Sequence, residues 1–119
     1  MMLNTQLERK TNMNDLHGLR HIVLCAFRDD TSEQQRESLV REFALLKEYI
    51  AVVRHFEYGI NSSPEGLADG FTHCFTVHFD GAPERDAYLI DPAHLRFVEL
   101  LKPSLAKVLV VDYAPLATV

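Results

Sequence analysis

Two short runs in this chain are apolar at every position rather than at every second one, and they constrain its fold more than any other feature. Ile22-Val23-Leu24-Cys25-Ala26-Phe27 and Val108-Leu109-Val110-Val111 show no alternation, the pattern of strands covered on both faces. Between them, Phe71, His73, Phe75, Val77 and Phe79 alternate with Thr72, Cys74, Thr76 and His78, which predicts a strand with one buried side. Val52, Arg54, Phe56, Tyr58 and Ile60 form one side of a further strand, closed by Asn61-Ser62-Ser63-Pro64-Glu65-Gly66. After Asp29-Asp30, Thr31 or Ser32 can cap a helix with Gln34 or Gln35 three residues on. Leu39, Phe43, Leu46 and Ile50 fall on one stripe of that helix. Gly81-Ala82-Pro83 opens a second helical stretch through Tyr88 and Ile90. Asp91-Pro92 restarts it, with Asp91 as cap and Pro92 at the first helical position. His94, Phe97 and Leu101 share a face, and Pro103 ends the helix.

The order β-α-β-β-α-β predicts an α+β, ferredoxin-like sandwich, a four-stranded antiparallel sheet with two helices on one face. Right-handed crossovers put the first strand between the third and the fourth. A physical problem follows. The helices cover one face only, so the other exposes Ile22, Leu24 and Ala26 beside either Val108 and Val110 or Leu109 and Val111. That patch is larger than a monomer usually tolerates, and a second sheet from a second copy is the simplest cover. The expectation is a homodimer through its sheet faces, a dimeric α/β barrel.

At 119 residues the chain has room for one domain. Met1 to Leu19 has no hydrophobic periodicity and no apolar signal core, so residues 1–19 are expected to be a flexible tail before a domain at 20–115. Met13 is a candidate start within that tail. Twelve Lys plus Arg against 17 Asp plus Glu give a net charge of -5, which argues against a nucleic-acid or anionic-lipid partner. No apolar run approaches the roughly 18 residues of a membrane span. Cys25 and Cys74 both lie in apolar stretches without an export signal, which reads as reduced and cytoplasmic. Strand parity puts the two thiols on opposite faces of the sheet, so no disulfide is expected.

Several segments carry a family resemblance: His21-Ile22-Val23-Leu24, Phe56-Glu57-Tyr58-Gly59, Gly70-Phe71-Thr72-His73, Tyr88-Leu89-Ile90-Asp91-Pro92-Ala93-His94 and Val111-Asp112-Tyr113. Over roughly Leu19 to Pro115 the chain resembles the stress-responsive dimeric α/β barrel (Dabb) family. The resemblance implies a ferredoxin-like protomer that dimerises through its sheets, the architecture the two-faced strands already required. It implies less about activity: many members are known by the stress association, while a plant polyketide cyclase of this type performs an aldol cyclisation without a cofactor.

His94 is the first candidate for chemistry. It lies in the first turn after Asp91-Pro92, where the helix dipole lowers imidazole basicity, as a general base near pH 7 requires, while Asp91 pulls the other way. In cyclase-type members the matching histidine works with a tyrosine six residues earlier, and Tyr88 stands there. The plain alternative is a histidine that packs beside Phe97 and bonds a backbone carbonyl. His21 and His73 share strand sides with Val23, Phe27, Phe75 and Val77, so both are expected to line the space between sheet and helices together with His94. Val23, Leu39, Phe43, Phe75 and Phe97 complete that expected pocket for a small apolar or aromatic ligand, and read equally well as core packing. There is no His-x-His pair, no carboxylate at ligand spacing and no cysteine pair, so neither a metal nor a cofactor is expected. His55 and His78 have the parity that faces away. Two functional classes stay open: a ligand-binding stress protein, or a cofactor-independent cyclase, lyase or isomerase with His94 as base and Tyr88 beside it.

Overall fold

The computed structural model of the chain describes residues 17–118. Its elements are β1 (Leu19–Phe27), α1 (Glu33–Tyr49), β2 (His55–Ile60), β3 (His73–Phe79), α2 (Ala82–Leu89), α3 (Pro92–Leu101), a short 3-10 turn (Lys102–Ser104) and β4 (Leu105–Tyr113). All strand pairs are antiparallel, in the order β2-β3-β1-β4. The first strand therefore lies between the third and the fourth, and the protomer is the ferredoxin-like α+β sandwich that the element order requires.

Local boundaries differ in instructive ways. Most of the expected tail, residues 1–16, lies outside the described residues, and β1 begins at Leu19 rather than Arg20. The second strand starts at His55, not Val52, because Val52 and Val53 turn out of α1, with the Val53 N–H donating to the Ile50 carbonyl at 3.1 Å. Ser32 is the N-cap of α1. Its hydroxyl accepts from the Gln35 N–H at 3.1 Å, and the Gln35 side chain accepts from the Ser32 N–H at 2.8 Å, satisfying two otherwise orphaned donors. The second helical region is two helices, since Asp91 caps α3 and Pro92 starts it. No helix of the described residues is long and apolar enough to cross a membrane.

One face of the sheet carries Val23, Cys25, Phe75, Val77 and Phe79, all buried against Leu39, Phe43 and Leu46 of α1 and against Tyr88, Phe97 and Leu101. The other face pairs Ile22 with Val111 and Leu24 with Leu109. Of the two alternatives for β4, Leu109 and Val111 are thus the residues on the open face, and they are 46% and 51% exposed. Val108 and Val110 point to the helix side, yet remain 48% and 51% exposed. The β4 edge therefore stands uncovered by the helices, which leaves a cleft. The cysteines are both free, Cys25 buried on the helix side and Cys74 beside Leu24 on the open face. Burial pushes the Cys25 thiol up to about 11.

Candidate functional site

The cleft between β1, β4, α2 and α3 encloses about 660 Å³. Phe43, Phe97, Val98, Leu101, Val108 and Val110 give it an apolar wall. Its polar end gathers Tyr88, His94, His21, Asp112 and Arg85.

Local sequence builds that polar end. The Asp91 carboxylate accepts from the Ala93 N–H at 2.8 Å, and the Asp91 N–H donates to the Tyr88 carbonyl at 3.1 Å. The cap thus fixes the turn joining α2 to α3 and sets His94 in the first turn of the new helix. The rings of His94 and Tyr88 meet with centroids 4.4 Å apart. His94 Nδ1 lies 3.1 Å from the Leu89 carbonyl. A carbonyl only accepts, so Nδ1 carries the proton and Nε2 keeps its lone pair. Burial is the main force holding the imidazole below its ordinary basicity, and the neighbouring His21 adds to it, while the Leu89 carbonyl and Asp91 oppose. The helix dipole was the expected cause; burial is the largest cause the structure adds.

Tyr88 is 1% exposed, and its hydroxyl has no hydrogen-bond partner among the described residues. Burial alone pushes its ionisation far up, so the group stays an O–H donor. It does not bond His94, so it does not orient that ring through a hydrogen bond. The two meet through ring packing.

His21 is 5% exposed and packs edge-on against Tyr88 at 5.9 Å and Phe79 at 6.3 Å. Its Nδ1 lies 2.7 Å from one Asp112 oxygen. The other Asp112 oxygen accepts from the Arg85 guanidinium at 2.7 Å, and Arg85 Nε donates to Asp86, also at 2.7 Å. Asp112 and Arg85 were not among the site residues expected from the sequence. The signal for Asp112 was present, a carboxylate at the third place of the Val108, Val110, Asp112 alternation on an otherwise apolar strand. Its partner lies 91 residues away and appears only through the β1–β4 register.

The expected pocket residues divide. His21, Val23, Phe43, Tyr88, His94 and Phe97 share the cleft. Leu39, His73 and Phe75 do not line it. Leu39 and Phe75 are core, with Phe75 stacked under Phe43 at 4.5 Å between centroids. His73 does face the helices, but it pairs with Cys25 while His21 pairs with Val77. Antiparallel pairing thus separates the two imidazoles by about four residues of strand, ~13 Å. His73 instead bonds the Thr72 hydroxyl at 2.8 Å and packs edge-on against Phe27. Its basicity is lowered by burial and by Arg36. His55 and His78 meet edge-on on the open face, with centroids 4.9 Å apart, away from the cleft.

A second hollow of about 600 Å³ lies on the open sheet face, between Leu24, Cys74 and Leu109 and the loop carrying Leu67 and Phe71. Glu57, Asn61, Asp69, Thr72 and Thr76 also line it.

Comparison with known proteins adds to this geometry. A family model described as the stress-responsive A/B barrel domain, Dabb, matches residues 19–115. The Arabidopsis thaliana stress-response A/B barrel domain-containing protein HS1 is 35% identical over 97 residues, spanning 82% of this chain and 89% of that protein. Olivetolic acid cyclase of Cannabis sativa is 26% identical over 98 residues, spanning 82% of this chain and 97% of the cyclase. Among solved structures, a dimeric protein of ferredoxin-like fold from Bacteroides fragilis superposes with a TM-score of 0.65 at 25% identity, covering 81% of this chain and 94% of that one.

Proposed function

The chain belongs to the stress-responsive A/B barrel domain (Dabb) family, and on that premise we propose that its cleft binds a small organic molecule with an apolar or aromatic body and one acceptor oxygen. The observation that carries this is Tyr88, a residue lining about 660 Å³ of space whose hydroxyl is buried without a partner among the described residues. A buried donor left unsatisfied costs about 1–3 kcal/mol. A ligand oxygen placed against it recovers that cost, and the apolar wall of Phe97, Val98, Leu101 and Val110 accommodates the rest of the molecule.

A second reading is favoured by His94. An imidazole whose Nδ1–H is spent on Leu89, whose Nε2 lone pair is free and whose basicity is lowered is poised as a general base near neutral pH. Beside a tyrosine hydroxyl that can donate to a developing enolate, it suits cofactor-independent proton transfer in the bound molecule. The resemblance to a relative named as a cyclase supports this reading without fixing the substrate.

The apolar open face of Ile22, Leu24, Leu109 and Val111 is, on the same proposal, covered by a second copy of the chain, as the dimeric relative from Bacteroides fragilis supports. A cytoplasmic setting suits the two free thiols.

Isothermal titration with 4-pentylphenol tests the ligand reading. Its phenol oxygen can accept from Tyr88, and its tail matches the apolar wall. The wild-type chain should bind it saturably, and Val98→Trp, which fills the cleft, should abolish binding without loss of folding. Equal binding by both proteins would place the ligand elsewhere.

A further inference from the structure

Val108, Leu109, Val110 and Val111 are consecutive apolar residues of an edge strand, and all four are 46–51% exposed. Leu109 and Val111 lie on the open face, whereas Val108 and Val110 belong to the wall of the cleft on the helix side. Both faces of one apolar segment and its unpaired hydrogen-bonding edge are therefore bare at once. Such an edge promotes association unless charge, proline or a bulge blunts it. The edge at the other end of the sheet is blunted: β2 carries His55, Glu57 and Gly59 within its 6 residues. Nothing of that kind interrupts residues 108–111. The flanking charges are committed within the protomer, Lys107 to Asp69 at 3.0 Å and Asp112 to His21 and Arg85, each at 2.7 Å.

The position of the bare residues decides what kind of cover fits. A sheet stacked flat on the open face hides Leu109 and Val111 and leaves Val108 and Val110 in water. A small ligand reaches the helix side only. Successive residues of a strand lie about 3.4 Å apart, so a subunit packed on Leu109 and Val111 already stands beside the cleft wall, one strand's width away. The open face and the cleft are thus continuous through β4, and a two-fold assembly gives both copies the same cover. The cleft needs it as well. Ligand sites bury about 70–90% of the molecule they hold, whereas this one has a side, at Val108 and Val110, that the helices leave open.

We propose that a second copy of the chain wraps around the β4 edge and supplies the missing side of the cleft, so that each ligand site is shared between two subunits. The proposal rests on the cleft being the ligand site and on the open face being the dimer face. One copy then provides the polar end, with Tyr88 and His94, and the other closes the apolar side along Val108 and Val110. Ligand binding and dimer formation are in consequence coupled: each strengthens the other by the same factor.

Single cysteines along β4 test the wrap without any ligand. Val108→Cys, Leu109→Cys, Val110→Cys and Val111→Cys are each placed in Cys74→Ser, the remaining Cys25 being buried. Each is treated with a maleimide-linked polyethylene glycol too bulky to enter the cleft, and modification is read as a mass increase on a gel. Where sedimentation shows a dimer, all four should label slowly, and all four should speed up on dilution to the monomer. Fast labelling at 108 and 110 beside slow labelling at 109 and 111 means flat stacking and overturns the proposal, as does fast labelling throughout. The wild type supplies a second measurement where a variant fails to fold. Saturating 4-pentylphenol should lower its dimer dissociation constant about fivefold or more, the small end of coupling between linked sites. Binding that leaves the dimer equilibrium unchanged overturns the proposal. A wild type that binds no 4-pentylphenol retires the ligand reading, and the labelling pattern still decides whether a second copy closes the β4 side.

Discussion

At the scale of single residues, burial decides what each polar group can do. His94, His73 and His78 are all held below the ordinary imidazole value, with burial the largest cause in each. A histidine whose folded value is lowered favours the neutral ring in the native state. The unfolded chain then binds more protons in acid, and the stability these groups contribute is present above about pH 6.5 and lost as pH falls through the lowered values. The melting temperature should therefore drop between pH 7 and pH 5 beyond what carboxylate protonation explains, and His94→Gln should flatten part of that slope. A melting temperature that is flat or rises over this range would contradict the burial argument. The placement of His94 was legible in the sequence because it depends on a local device, the Asp91-Pro92 restart, whereas Tyr88 was singled out only by the family resemblance. Asp112 and Arg85 were not legible, because their meeting with His21 depends on β4 lying beside β1 and on α2 packing over the sheet at β1 and β3.

At the scale of elements, β1 does two jobs, and its sequence shows both. His21, Val23 and Cys25 point into the helix-covered layer, while Ile22 and Leu24 point out of it, paired with Val111 and Leu109. The unbroken apolar run made this two-sided character legible in the residues themselves. What it left open was which half of β4 shared the open face, a question of register that one residue of slip reverses. The start of β2 was misplaced for a related reason: Val52 and Val53 match a strand pattern locally, but the chain must first turn out of α1. Leu24→Asp places a charge where the proposed second copy packs. An uncompensated buried charge is not tolerated at an interface. Sedimentation at micromolar concentration should show a dimer for the wild type, and a monomer or an unfolded chain for Leu24→Asp. A well-folded monomeric wild type would end the dimer proposal.

At the scale of the whole molecule, the fold is a layer of helices that stops short of the β4 edge, and the cleft exists because it stops. The element order made the sandwich predictable. The cleft was not, since its extent depends on where α2 and α3 sit relative to β4. That is why the expected pocket mixed true wall residues such as Phe97 with core residues such as Phe75. The same geometry buries a tyrosine hydroxyl that nothing among the described residues satisfies, a local loss of stability that a ligand would reverse. Thermal melts of wild type and Tyr88→Phe, each with and without saturating 4-pentylphenol, test this most directly. Without ligand, Tyr88→Phe should melt at the same temperature as the wild type or higher, because it removes an unsatisfied donor and keeps the ring. With ligand, its stabilisation should be smaller, corresponding to an affinity about two- to tenfold weaker, the worth of one hydrogen bond. A Tyr88→Phe protein that melts lower without ligand, or that gains as much from ligand as the wild type, would contradict the account.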